Sequence, residues 1–402
     1  MAQSRILVIS AHRGVIDRRI IAETNALVQS GRAVTLVSVP VEIPEHSLHP
    51  AVRVVMSSKS RSPASNFEGR YCSLRTTARL ALAPLRTWVR NRRLKARQRY
   101  FLAHTPPASY AAIHCHDLDT LPAAQAVRAR LAPSARLIYD SHELFPYQET
   151  DRSFQRYWSR VEARFIGVAD LIITINESAA EQLARLYGVP TPGVIYNSCG
   201  DPTNPAPLSL DAFHRHFQAE PGGFRVVFQG GLHPLRNLPN LVRAFGRLDA
   251  SYRLFILGSG PLEKELRALP RPQRNVFFGG SVPPSDLLRF TAHADLGIIP
   301  YEDAGLLNMR YCTPNKLFEF IEARVPICVS DLPELRRVAI EHGIGAAYAM
   351  GSPDEIAVAV RDCRRRCERG DFTAAARDQA RARFCWSEQG RRLIRMYEQL
   401  GV

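Results

Sequence analysis

The sequence predicts an α/β protein built from two successive doubly wound parallel sheets, and three observations predict it. At 402 residues the chain is longer than one hydrophobic core usually supports. Apolar strand patterns alternate with helical periodicity in two separate series, an alternation that right-handed crossovers wind into parallel sheets. Between the series, residues 198–223 carry four prolines among glycines and polar residues, which reads as an inter-domain connection. The expected organisation is an N-terminal Rossmann-like domain over 1–200, a linker over 201–223, a C-terminal Rossmann-like domain over 224–385 and a terminal helix over 386–402.

In order, Ile6–Ser10 reads as a buried strand, Ile16–Ser30 as an amphipathic helix stopped by Gly31, and Ala33–Val39 as the next strand, which together open a βαβ unit. Ala111–His114 is a strand leading to a helix after Thr120, and Leu137–Tyr139 is a short strand. Phe154–Gly167 is helical, Leu171–Ile175 is a continuous apolar strand followed by a helix from Glu177, and Gly193–Asn197 closes the series. The second series has strands at Phe224–Phe228, Tyr252–Leu257, Asn275–Phe278, Leu296–Ile299 and Pro326–Val329. Helical periodicity falls between them, as at Leu238–Leu248 and Leu262–Leu269, and Trp386–Leu400 is a last helix with no strand after it.

No charge-free apolar run reaches the ~20 residues that span a bilayer, and the strand-like start is unlike a cleaved signal, so the expectation is a cytoplasmic protein. The eight cysteines lack zinc-type pairing and read as reduced structural thiols. The net charge of +15 is uneven: residues 70–99 hold nine arginines and Lys95 with no acidic residue. Nucleic acid is not the expected partner, because no helix-turn-helix, zinc finger or aromatic RNA-binding signature accompanies the charge. Leu74, Leu80, Leu82, Leu85, Trp88, Val89 and Leu94 are interleaved with it, which marks an insert over about 60–105 as a basic, peripheral contact for an anionic membrane surface; a solvated basic helix is the alternative.

Chemistry concentrates at strand ends. Phe228-Gln229-Gly230-Gly231 runs from a strand into a glycine pair that lets a phosphate approach the backbone, with Arg236 nearby as a permanent bidentate charge. In Thr313-Pro314-Asn315-Lys316-Leu317-Phe318-Glu319, Pro314 fits the first turn of a helix. The amides of Asn315, Lys316 and Leu317 then point outward where the helix dipole favours an anion, Lys316 adds a full charge, and Glu319 lies one turn on as a ribose acceptor. An ordinary capped helix explains the same residues. In the first half, His116 follows an apolar strand, His142 and Glu143 follow the next, and Asp17 caps the first helix beside Arg18. His114-Cys115-His116 invites a metal reading. It is set aside because strand neighbours point to opposite faces and no distant ligand set is evident.

As an ordered set, these motifs resemble glycosyltransferase family 4, of the retaining GT-B type. Phe228 to Arg236, Ile256-Leu257-Gly258-Ser259-Gly260-Pro261-Leu262, Asp295 to Tyr301 and Pro314 to Asp331 are similar to its donor half. Asp17-Arg18-Arg19-Ile20, His114 to Leu121, Tyr139 to Phe145 and Thr174 to Asn197 are similar to its acceptor half. The resemblance implies two Rossmann-like domains facing a central cleft, with the terminal helix crossing back to the first. It implies His116, Arg236 and Lys316 as catalytic residues. Gly230, Gly231, Gly258, Gly260, Asn308, Pro314, Asn315 and Glu319 would bind the donor, and Asp17, Arg18, His142 and Glu143 the acceptor. Two positions depart from the family: Gly231 stands where it has an arginine and Tyr311 where it has the first glutamate of a pair, and Asn308 is the stand-in for the latter.

The implied activity is metal-independent, cofactor-free transfer from a nucleoside-diphosphate sugar, a UDP-sugar before a GDP- or ADP-sugar, to a glycan or lipid-linked acceptor in cell-surface polysaccharide, lipopolysaccharide or glycolipid synthesis. Two other readings use the same residues: a GT-B nucleotide-sugar epimerase, and a catalytically silent binding or scaffold protein.

Overall fold

The computed structural model describes residues 3–12, 14–57, 83–199, 206–269 and 274–402. The chain divides into two compact units, residues 1–195 with 390–402, and residues 196–389.

The first unit is a parallel sheet of β1 (Arg5–Ser10), β2 (Ala33–Ser38), β3 (Arg53–Val55), β4 (Ala112–His116), β5 (Arg136–Ser141), β6 (Leu171–Thr174) and β7 (Gly193–Val194). Its spatial order is β3-β2-β1-β4-β5-β6-β7. Ile6 to Ile9 and Ala112 to Cys115 are buried on both faces, as strands covered by helices on either side must be. The order reverses direction at β1 and β4, so the carboxyl ends of those two strands form the switch point where such sheets take ligands. The terminal stretch completes this unit. Leu393 and Tyr397 of the helix Trp386–Gln399 are fully buried, Tyr397 Oη and His114 Nδ1 share a hydrogen bond of 2.7 Å, and Arg32 donates to the Val402 carbonyl at 2.6 Å.

The second unit contains β8 (Phe224–Gln229), β9 (Tyr252–Leu257), β10 (Val276–Gly280), β11 (Leu296–Ile299), β12 (Ile327–Ser330) and β13 (Gly345–Tyr348), in the order β10-β9-β8-β11-β12-β13, again all parallel. Its switch point lies at β8 and β11, so Gly230 and Tyr301 sit just beyond the strand ends that matter. Within 201–223, the stretch read as a linker, the structure has the helix Leu210–Phe217, capped by Ser209, whose side chain accepts from the Ala212 amide. Phe213 and Phe217 are buried and pack against Phe255 with ring centroids 4.9 Å apart in each pair, which makes the helix part of the second core.

Candidate functional site

In the second unit the site is assembled from three loops. Gly230 follows β8 with φ +114°, and Gly258 follows β9 with φ +132°. A Cβ on Gly258 would lie 2.1 Å from the Gly230 carbonyl oxygen, and one on Gly260 would lie 2.6 Å from that of Leu232. Gly258 and Gly260 therefore let the loop after β9 lie directly against the loop after β8. Gly231 beside them is exposed. Arg236 closes a short 3-10 turn and stacks its guanidinium on Tyr301, 4.3 Å from the ring centroid.

Lys316 approaches the same place from the helix Asn315–Glu322. Its Nζ is 3.6 Å from the centroid of Phe228 and 4.9 Å from that of Tyr301, and the residue is 5% exposed. Among the described residues the ammonium has no hydrogen-bond partner. Burial, and then the neighbouring Arg236, hold its pKa well below the ordinary lysine value. Glu319 accepts from Gln229 Nε2 at 2.7 Å, and Gln229 in turn accepts from Thr291, so that carboxylate is fixed by β8. Asn308 is half-buried on the short helix Leu307–Arg310.

Two details of the helix start differ from the sequence reading. Pro314 is the residue before the helix, with ψ 148°, rather than a member of its first turn. The Leu317 amide donates to the Pro314 carbonyl at 2.9 Å, which leaves Asn315 and Lys316 as the outward amide donors. A helix whose first residue follows an extended proline turns one amide back on the cap carbonyl, and that amide is lost to a ligand.

In the first unit, His116 ends β4, and its Nδ1 lies 3.1 Å from Asp140 Oδ2 and 3.0 Å from His142 Nε2. His142 is itself 3.0 Å from the same Asp140 oxygen, and Arg19 spans both oxygens of that carboxylate at 2.8 and 2.7 Å. Burial pushes the Asp140 carboxyl up, but Arg19 and the two histidines outweigh it and hold the group well below the usual range. Burial lowers His116 to about 4 against the pull of Asp140, so it is neutral. Its Nδ1 faces both the Asp140 carboxylate, an acceptor, and the charged His142, a donor, and its Nε2 is buried with no hydrogen-bond partner among the described residues. For His142, burial is outweighed by Asp117 and Asp140, which raise it to about 10, so it carries a charge.

His116 and Glu143 both line a cavity of about 340 Å³ at the carboxyl ends of β1 and β4, together with Arg90, Arg93, Phe154 and Trp158. Asp17 caps the first helix, accepting from the Arg19 amide at 2.7 Å. Arg18 is half-buried next to it.

Sequence reasoning missed the residues that organise this centre: Arg19, Glu23, Asp117 and Asp140. The available signal was a charged pair, Arg19 and Glu23, at i and i+4 on the apolar stripe of the first helix, in contact at 2.9 Å and fully buried. The dismissal of His114 and His116 for want of distant partners is corrected by the structure. The two residues are i and i+2 on one strand, so they share a face, with stacked rings 4.5 Å apart. With Glu23 and Asp140 they form, among the described residues, a group whose four ligand atoms lie within 4.8 Å of one another. The Arg19 guanidinium already lies between the two carboxylates and supplies the positive charge a cation would bring, so the group is coherent as a buried ion-pair network.

Residues 18–199 match the family described as Glycosyltransferase Family 4, and residues 223–365 match that described as Glycosyl transferases group 1. No curated protein matches the chain. Solved structures similar over almost the whole length include sucrose-phosphate synthase from Thermosynechococcus elongatus, at 16% identity, covering 99% of each chain with a TM-score of 0.71. A glycosyltransferase from Rickettsia africae is similar at 12% identity, 99% of each chain and a TM-score of 0.67. HepE from Anabaena in complex with UDP is similar at 15% identity, 98% of this chain and 100% of that one, with a TM-score of 0.65; HepE has also been solved with UDP-glucose. The fold is the GT-B fold of glycosyltransferases.

Proposed function

We propose that the chain is a retaining glycosyltransferase that moves a sugar from a nucleoside-diphosphate sugar, a UDP-sugar first among them, to an acceptor hydroxyl. The observation that carries this reading is Lys316: a buried ammonium with no hydrogen-bond partner among the described residues, beside Arg236 and at a helix start with two amides left for a ligand. Isolated buried charge is costly, and a diphosphate is the ligand that would relieve it. HepE, with the same fold, binds UDP and UDP-glucose, which supports the choice of base.

In the proposed reaction the bond between the anomeric carbon and the diphosphate oxygen breaks, and Arg236, Lys316 and the amides stabilise the charge that develops on the leaving group. The acceptor oxygen bonds to the anomeric carbon from the same side, and its proton passes to a departing phosphate oxygen. These side-chain cations meet the charge requirement of the step without a metal. His116 Nε2 hydrogen-bonds a sugar or acceptor hydroxyl, and the cavity beside it holds the acceptor, a glycan or a lipid-linked sugar.

Thermal-shift and nucleotide-release measurements across UDP-, GDP- and ADP-glucose test the reading. Stabilisation by the UDP-sugar, lost in both Arg236→Ala and Lys316→Ala, is expected. No response to any nucleotide sugar overturns it, and stable binding with no acceptor-dependent turnover turns it into a silent binding protein.

A further inference from the structure

The helix Ala83–His104 holds seven cationic side chains and no acidic one. The structure sorts them into two stripes. Arg86 pairs with Asp151 at 2.9 Å and Arg97 with Asp119 at 2.6 Å, while Arg90 is buried against Phe154 and Tyr157 and bonds to the Ser153 carbonyl. Tyr157 also donates to Asn91 at 2.9 Å and Gln98 to the Pro122 carbonyl at 3.2 Å. The helix is thus fixed in place along its inner side.

The opposite stripe is Leu85, Trp88, Arg92, Lys95 and Arg99, spaced three, four, three and four residues apart, and all five are exposed. Leu85 is 48% and Trp88 53% exposed, among the most open large apolar residues of the chain. Arg92 lies over the Trp88 ring at 4.6 Å. Among the described residues no carboxylate pairs with Arg92, Lys95 or Arg99.

We propose that this stripe is a docking surface for an anionic lipid bilayer. An exposed tryptophan and leucine at one end, followed by three unpaired cations along the same line, match the acyl boundary and the anionic headgroups of an interface; a nucleic-acid surface would account for the cations and leave Leu85 and Trp88 without a role. The inner stripe of the same helix lines the cavity beside His116. Docking therefore brings that cavity within about one helix diameter, ~10 Å, of the lipid surface. The inference stands independently of sugar transfer, since it concerns only where the protein is held.

The full chain is mixed with phosphatidylcholine vesicles, with vesicles containing a third phosphatidylglycerol, and with a duplex oligonucleotide, at low and high salt. Cosedimentation with the anionic vesicles alone is expected, weakened by salt. Arg92→Gln, Lys95→Gln and Arg99→Gln combined should lower the partition coefficient on the order of a hundredfold, at ~1 kcal/mol per cation, and Trp88→Ser should lower it separately, with unchanged circular dichroism and melting temperature. Equal binding to both vesicle types, no binding to either, undiminished binding by the folded triple variant, or tighter binding to the oligonucleotide than to anionic vesicles would each overturn the proposal.

Discussion

Lys316 shows how much chemistry one side chain can carry when its surroundings are arranged around it. Its Nζ lies 3.6 Å from the Phe228 ring centroid and 4.9 Å from that of Tyr301, so the ammonium is held where water cannot fully solvate it, and its proton is bound weakly as a result. A diphosphate placed against it reverses that balance, since an adjacent anion favours the charged form. The sign follows. The free protein holds Lys316 with a depressed pKa, the complex with a raised one, and between the two values binding takes up a proton, so affinity falls as pH rises through that window. Calorimetry with UDP-glucose over a pH series in buffers of different ionisation enthalpy should show uptake of up to one proton by the native protein, confined to the window between the two values. Heats independent of the buffer at every pH would show that Lys316 does not meet the diphosphate. His116 reports the opposite device: at about 4 its pKa keeps the imidazole neutral across the physiological range, so its lone pair is available without a titration step.

At the scale of elements, the loops after β8 and β9 are joined by backbone hydrogen bonds, Leu232 to the Ser259 carbonyl at 3.0 Å and Leu262 to that of Leu232 at 3.1 Å, across a close approach that their glycines allow. Gly258→Ala would place a methyl group 2.1 Å from the Gly230 oxygen in a backbone with φ +132°, so the two loops must part. The expected cost is about 2 kcal/mol or more of stability, read by denaturant unfolding, with nucleotide-sugar affinity lost at the same time because Gly230 moves away from Lys316. Unchanged stability and affinity would mean that the loops do not need their close approach. The sequence made the strand ends legible because buried parallel strands carry apolar runs, as in β1, β8, β9 and β11, whereas β4 alternates apolar residues with His114 and His116. It left β13 out, since Gly345-Ala346-Ala347-Tyr348 has little apolar contrast, and it left out Leu210–Phe217, whose eight helical residues sit among prolines. Arg236, Lys316 and His116 were singled out by polar chemistry at strand and helix ends, and the roles expected of them came from the family resemblance. The Arg19, Glu23 and Asp140 network was not, because charges inside a core are recognised only once their partners, distant in sequence, are seen to meet there.

At the scale of the whole molecule, the first unit is discontinuous in sequence: residues 390–402 complete a core that the first 195 residues begin. Leu393 and Tyr397 fill it, and the Tyr397 hydroxyl is bonded to His114, one strand position from Cys115 and two from His116. Without that stretch, His114 loses its partner and an apolar face of the first sheet meets water. A chain ending at residue 389 is therefore expected to lose several kcal/mol from the first unit, since removal of single large buried side chains already costs about 2–5 kcal/mol each. The second unit, whose own core lies within residues 196–389, should keep its stability. Hydrogen exchange resolved by peptide distinguishes the two: protection should fall in β1, β4 and β5 of the shortened chain and persist in β8, β9 and β11. Equal loss of protection in both sheets would show that the two cores unfold as one, and undiminished protection in β4 would show that the terminal stretch is not needed to close the first.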